Sequence, residues 1–549
     1  MVATILKRFA GREAACVTLD ARQSNSPILA CQVYCNRIRF VYESELTGII
    51  LTRPPDAYIL RWVRYGDDTC PKSLNDFLMM PAVDDVYSAL RRDFKGDLLR
   101  PGGDGYAEAR TVWNGMVARN PGLIARCDGA SDIRAAIRAA SSANLLTAVR
   151  CGGHSLAGFS TCEGGMVIDL SRMRSVSVDQ ENRRGRFAGG CLLANVDQAT
   201  QKAGLVFPAG VVSQTGASGL VLGGGFGWLT RLYGMSCDNV EGFTLVVADG
   251  SVVHASTTEN SDLFWALRGG GGNFGIVTEF EVKLHPLTFV LFGTGMCVGD
   301  EIPQILQYWR EFMTEAADNL KWSFSLRLAP DDETVPPHVR GRQVASESVL
   351  WIGDPDEARP HVDHALSVCN ATAITKDVCS FLNLQTMADW EFPTGGRYYT
   401  KSGYLKTLDD QSIRHMIEAL ATIPSPLTQI EISYQGGAAA RIGATETAFG
   451  DRSSPFIVNI LGSWSNPAED ADNISWIRNL FAKLRPSMTP GVYVNFMSGD
   501  EEDRTTEAYR ERWERLVAVK THYDPDNFFR LNQNISPQKN VDKMTRSHP

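Results

Sequence analysis

The glycines of this chain come in three bursts, and these constrain its fold more than any other feature. RCGGHS occupies 150–155, FPAGVVSQTGASGLVLGGGFGWLTRLYG 207–234 and LRGGGGNFGIV 267–277. Without a Cβ, successive residues can turn their N–H groups toward one point and admit a close backbone or ligand. Any one burst alone reads more readily as tight turns at strand ends. Three together point to a cradle for a dinucleotide pyrophosphate. Gly270, Gly272 and Gly275 spell G-x-G-x-x-G, but the Rossmann fingerprint needs a strand before it and a helix after it. Here SDLFWALR reads as a helix before the motif and IVTEFEV as a strand after it. We reject the Rossmann reading.

A strand–turn–helix–strand rhythm surrounds the bursts from Val83 to about Pro286. DDVYSALRRDF has apolar residues at Val86, Leu90 and Phe94, a helical spacing. SDIRAAIRAASSAN reads as a helix with Ser131 as N-cap, and LLTAVRCGGH as a strand running into the first burst. GMVIDLS, RRGRFAGG, FTLVVADGSVVHAS and GIVTEFEVKLH read as β, with ADGSVV a hairpin turn. After Pro286, strands such as WSFSLRL, ESVLWIG, QIEISYQGG, FIVNILGSW and VYVNF alternate with helices. That is α+β with an antiparallel sheet.

With 549 residues, 44% apolar content and a net charge of −9, the chain is an ordinary globular protein with no basic surface for nucleic acid or anionic lipid. The opening MVATILKRFAGREAAC is too short in its apolar part for a secretory signal, and Lys7 and Arg8 stand on the wrong side. No run is apolar for long enough to cross a bilayer. Twelve cysteines are too sparse for a disulfide scaffold. Cys31 and Cys35 lack a second ligand pair, and His361 and His364 lack a third ligand, so no metal is expected. A cytoplasmic protein with reduced thiols is the expectation.

Five stretches, AVRCGGHSLAG, GGMVIDLSRMRSV, PAGVVSQTGASGLVLGGGFGWLTRLYGMSCDNV, SDLFWALRGGGGNFGIVTEFEVKLHP and YDPDNFFRLNQNI, together resemble the berberine bridge enzyme-like oxidases, flavoproteins of the vanillyl-alcohol-oxidase type. The resemblance spans roughly residues 85 to 540. It implies an α+β fold: a two-subdomain FAD-binding domain over 83–286, a substrate domain with a helix-covered antiparallel sheet over 287–505, and a segment 506–549 returning to the FAD domain. Residues 1–82 form an extension of unknown role. Met79-Met80 stands just before the family domain, so a chain starting at Met80 is expected to retain flavin.

The resemblance further implies that His154 carries FAD covalently through the flavin 8α-methyl carbon. A neutral imidazole is a competent nucleophile near pH 7. Many relatives add a cysteinyl bond, but Val212 stands in that place, so a single tether is expected. Arg150, Cys151, Gly152, Gly153, His154 and Ser155 are expected around the pyrophosphate. Gly216, Ser218, Gly219, Gly223, Gly224, Gly225 and Gly227 are expected along the flavin, and Gly275, Ile276 and Val277 near the adenosine. Asn532 and Asn534 are expected to close the site.

For the proton acceptor, Tyr493 in VYVNF is the first candidate, with Asn495 on the same strand face, and Tyr399 in GRYYTKS assists. A tyrosine base needs a lowered pKa, for which Lys401 and Arg397 are candidate partners. Gln435, sharing a strand face with Ser433 and Glu431, matches a strand where alkaloid-cyclising relatives keep a glutamate. Leu156 replaces a tyrosine of those relatives and argues against cyclisation. Trp322, Trp390 and Trp464 read either as stacking platforms for a sugar or planar metabolite or as core. The implied activity is oxidation of a sugar or secondary metabolite, with O2 reduced to H2O2. The alternatives are a dehydrogenase with another acceptor and a non-catalytic flavin binder.

Overall fold

The computed structural model describes residues 31–35, 38–42, 50–52, 58–61 and 74–538. The chain divides into two compact units, 1–81 and 82–549. In the first, strands Cys31–Cys35, Ile38–Tyr42, Tyr58–Arg61 and Ile50–Thr52 form a sheet in that spatial order.

The second unit holds three sheets of four or more strands. A four-stranded sheet runs Asp97–Leu99, Leu123–Arg126, Met166–Asp169, Thr147–Arg150, with parallel pairing among its last three strands. Helix Ala130–Ser142 crosses between two of them. Its N-cap is Gly129 rather than Ser131, and Asp132 instead folds back to accept from the N–H groups of Lys95, Gly96 and Asp128. A five-stranded antiparallel sheet runs Val252–Ser256, Val240–Val246, Ile276–Lys283, Arg184–Ala188, Val176–Asp179. The helix–burst–strand order at 261–283 is as the sequence predicts.

The third sheet is antiparallel and seven-stranded: Thr372–Ser380, Phe289–Val298, Gln343–Trp351, Leu320–Leu328, Gln429–Tyr434, Phe456–Trp464, Arg397–Leu405. Strand periodicity sorts its side chains. Trp322, Phe324, Leu326, Ile430, Ile432, Val458 and Ile460 point into one core with Trp309, Met313, Met416 and Ile477 from the covering helices. Residues one position away, such as Lys321, Ser323, Ser325 and Arg327, emerge on the opposite face. Trp322 and Trp464 are therefore core residues, while Trp390 is 62% exposed.

Two further expectations fail here. VYVNF is not a strand: Val494–Phe496 is a single 3₁₀ turn, closed by Phe496 N–H donating to Tyr493 O at 2.9 Å. Nor are all thiols reduced, because Cys297 and Cys369 form a disulfide across 72 positions. The sequence conceals it because its halves lie in separate elements. Cys127, Cys151, Cys162, Cys191, Cys237 and Cys379 are free. His361 stacks on Trp351 and His364 hydrogen-bonds Tyr308. Among the described residues no helix is long and apolar enough to cross a membrane.

Candidate active site

One cavity of about 580 Å³ lies between the glycine bursts and the polar face of the seven-stranded sheet. Strand Thr147–Arg150 delivers the first burst to it. Cys151, Gly152, Gly153, His154 and Ser155 line the cavity, but Arg150 does not. Its guanidinium donates to Asp169 at 2.9 Å and to the Ala109 carbonyl, pinning the base of the loop. The loop conformation requires glycine. Gly153 has φ 73°, and a Cβ on Gly152 would stand 2.4 Å from the Gly216 nitrogen. His154 faces the cavity, and burial pushes its imidazole down to about 4, so the ring is neutral at pH 7.

The second burst divides in two. Gly216, Ser218, Gly219 and Gly227 line the cavity, whereas Gly223, Gly224 and Gly225 do not. A Cβ on these three would strike Asn495, Phe449 and Ser236 at 2.3 to 2.5 Å. They let the chain's own side chains approach, not a ligand. Val212 lines the cavity. From the third burst, Gly275, Ile276 and Val277 line it, with Gly271, Gly272 and Asn273.

The tail closes this wall. Asn532 and Gln533 reach the cavity, while Asn534 turns away toward Ser536. The sequence reading missed what holds the tail. Lys520 and Asp524, both wholly buried, pair at 2.6 Å. Lys520 also donates to the carbonyls of Asn273 and Phe529, at 2.8 and 3.1 Å, and Asp524 accepts from the N–H groups of Phe528 and Phe529. This pair fastens the tail to the third burst.

Across the cavity stands Glu431, whose carboxylate accepts from Asn459 Nδ2 at 2.7 Å. Burial raises its pKa, the Asn459 bond lowers it, Glu391 raises it, and Lys321 and Arg327 lower it. Lys321 donates to the Gly227 carbonyl at 2.8 Å, and burial pushes its ammonium down to about 8. Arg327 pairs with Glu391 at 3.0 Å. The alternation K-W-S-F-S-L-R was the available signal for Lys321 and Arg327.

The structure redistributes the expected catalytic residues. Tyr493 and Asn495 line the cavity. The phenol oxygen of Tyr493 accepts from Gly225 N–H at 3.1 Å and from Asn495 Nδ2 at 2.8 Å. Burial nevertheless pushes this phenol well above its ordinary range, the opposite of what a tyrosine base needs. Tyr399 points to the other face of its strand, where it donates to Asp500 at 2.7 Å and accepts from Arg478. Its pKa is raised too, mainly by burial. Lys401 is on that far side as well, paired with Asp500, and Arg397 pairs with Asp470. Gln435 lies beyond the end of Gln429–Tyr434 and donates to Ser433. It does not reach the cavity; Glu431 on its strand does.

Comparison with known proteins gives consistent matches. The profile of an FAD binding domain matches residues 121–256, and the profile described as berberine and berberine like matches residues 492–536. An uncharacterised FAD-linked oxidoreductase of Bacillus subtilis is 30% identical over 439 residues, covering 79% of this chain and 95% of its own. The (R)-6-hydroxynicotine oxidase of Paenarthrobacter nicotinovorans is 29% identical, covering 81% and 97%. The crystal structure of 6-hydroxy-D-nicotine oxidase from Arthrobacter nicotinovorans superposes with a TM-score of 0.72 at 29% identity, over 81% of this chain and 99% of that one.

Proposed function

The chain belongs to the berberine bridge enzyme-like FAD-linked oxidoreductases, and from that premise we propose that it oxidises a small polar alcohol or amine, with His154 as covalent anchor for FAD and O2 as electron acceptor. The residues fit the cofactor. A Cβ added at Gly219 or Gly272, both at the cavity, meets nothing within 4 Å, so these positions keep wall space clear. Gly152 and Gly216 allow two loops to close on one another. His154 is neutral and free to bond, and Val212 offers no second nucleophile.

When bound, FAD supplies the hydride acceptor. The chain's residues supply position and proton transfer. Glu431 is the proton acceptor: it faces the cavity, and burial lifts its pKa toward the operating pH, where a general base works best. Asn459 orients its carboxylate. Lys321 places a positive charge near it and is itself held by the Gly227 carbonyl. Tyr493 keeps its proton and, with its oxygen already accepting two hydrogen bonds, donates one to the substrate.

The observation that supports this reading most directly is the pairing, in one cavity, of a neutral histidine on a glycine-built wall with a buried carboxylate on the facing sheet. The test is acid precipitation of wild type and His154→Ala. The wild-type pellet should stay yellow, and the variant should release its flavin. A colourless wild-type pellet would remove the anchor. Anaerobic reduction by substrate followed by air separates oxidase from dehydrogenase: reoxidation over many minutes would favour another acceptor.

A further inference from the structure

We propose that Trp113 is a positioning residue for covalent flavin attachment, holding the His154 imidazole in the plane from which it bonds, and that Tyr398 backs Trp113. The inference rests on the reading of His154 as the anchor.

Three rings lie in one pile. The His154 and Trp113 centroids are 4.8 Å apart with planes 14° from parallel. Trp113 and Tyr398 are 3.8 Å apart at 9°. The two lower rings are fixed by their polar tips. Trp113 Nε1 donates to the Phe392 carbonyl at 2.9 Å, and the Tyr398 hydroxyl donates to the Pro393 carbonyl at 2.7 Å. The backbone is fixed as well. Trp113 N–H donates to Gly153 O at 3.1 Å, directly beside His154, and Gly395 N–H donates to Trp113 O at 2.8 Å. The Asn114 amide donates to Tyr398 O at 2.9 Å and accepts from Tyr398 N–H at 3.2 Å.

His154 contrasts with this. Among the described residues no hydrogen bond holds its imidazole, so the face of Trp113 is what restrains it. Stacking fixes the ring plane and leaves both nitrogens at the ring edge. A hydrogen bond through either nitrogen would occupy a lone pair or fix a tautomer; a stacked indole does neither. Burial at the same place keeps the imidazole neutral.

In the attachment an N–C bond forms to the 8α-methyl carbon, while an imidazole N–H and a methyl C–H break. The two hydrogens and two electrons leave to O2 as H2O2, which balances the step. Its rate depends on nitrogen and carbon meeting in line, and a misplacement of about 1 Å costs on the order of 100-fold.

The experiment mixes flavin-free full-length protein with FAD in air. Covalent attachment is followed by intact mass and by flavin retained in the acid pellet, with non-covalent binding measured separately. Trp113→Ala should bind FAD yet attach it roughly 100-fold more slowly, and Trp113→Phe, which keeps a flat ring, should recover most of the rate. Attachment by Trp113→Ala at the wild-type rate overturns the proposal, as does loss of FAD binding in parallel with attachment. If Trp113→Ala does not fold, Tyr398→Leu decides: the proposal requires slowed attachment with binding kept, and an unchanged rate overturns it. The wild type separates the two readings, since failure of the anchor itself shows as no attachment in any sample.

Discussion

Glu347 Oε1 lies 3.9 Å from the Sγ of Cys369, and because that sulfur is bonded to Cys297 it has no hydrogen to give. The other carboxyl oxygen accepts from Trp322 Nε1 at 3.0 Å. Glu347 is 0% exposed. Burial pushes its pKa from an ordinary 4.5 up to about 7, with the Trp322 bond opposing. The folded state therefore keeps the proton at pH values where the unfolded chain has lost it. Stability from this group is fully present below 4.5 and falls away as pH rises to about 7, a loss of roughly 3 kcal/mol. Glu347→Gln retains an acceptor for Trp322 and cannot ionise. The wild-type urea midpoint should fall more steeply between pH 5 and 8 than that of Glu347→Gln. Parallel pH curves for the two proteins would exclude the assignment.

The disulfide beside it closes a loop of 72 positions. A crosslink of that span contributes about 4 kcal/mol by restricting the unfolded chain. It joins strand Phe289–Val298 to the turn after helix Pro355–Ser367. Reduction, or the double change Cys297→Ala with Cys369→Ala, should lower the denaturant midpoint by that order. A non-reducing digest should show the two cysteine peptides joined, and an unchanged midpoint on reduction would argue against the bond.

On the tail side of the cavity, the buried pair Lys520–Asp524 holds the tail on the third glycine burst. Removing one partner leaves the other charged and buried, at a cost of about 3–5 kcal/mol. Lys520→Met should therefore destabilise the protein and loosen FAD, because Asn532 and Gln533 line the cavity just beyond the pair. Lys520→Met combined with Asp524→Asn should recover part of the loss. Thermal melts and flavin retention on dilution measure both effects. A double variant no better than Lys520→Met would mean that the geometry of the pair, not its charge balance, secures the tail.

Sequence alone carried the order of elements through the glycine bursts, because helix and strand periods there are clear and the turns need glycine. It did not carry the inner face of Arg397–Leu405. Residues 398–405 are all buried, so alternation offers no inside and outside, and Tyr399 was placed on the cavity side. VYVNF alternates like a strand, yet its Asn495 bonds the Tyr493 hydroxyl while the backbone closes a turn. Gly223, Gly224 and Gly225 show the limit of glycine counting, since enrichment cannot distinguish approach by a ligand from approach by Phe449 or Ser236. Leu320–Leu328 was the missed opportunity: its alternation of Lys, Ser and Arg with Trp, Phe and Leu separates the core from the polar wall.

That polar wall supports the last prediction. If Glu431 takes the proton, it must be ionised, so kcat/KM should rise with pH through a pKa above the ordinary carboxylate range, in the direction burial drives it. Lys321, which burial pushes down to about 8, favours the ionised Glu431 while it is charged, so Lys321→Met should move the acid limb to higher pH. Glu431→Gln should lower kcat by about 10² to 10⁴ and abolish the acid limb. Tyr493→Phe removes only a hydrogen bond to substrate, so it should cost about tenfold or less and leave the acid limb in place. A pH–rate profile of Tyr493→Phe that loses its acid limb, with Glu431→Gln retaining one, would return the proton-acceptor role to the tyrosine.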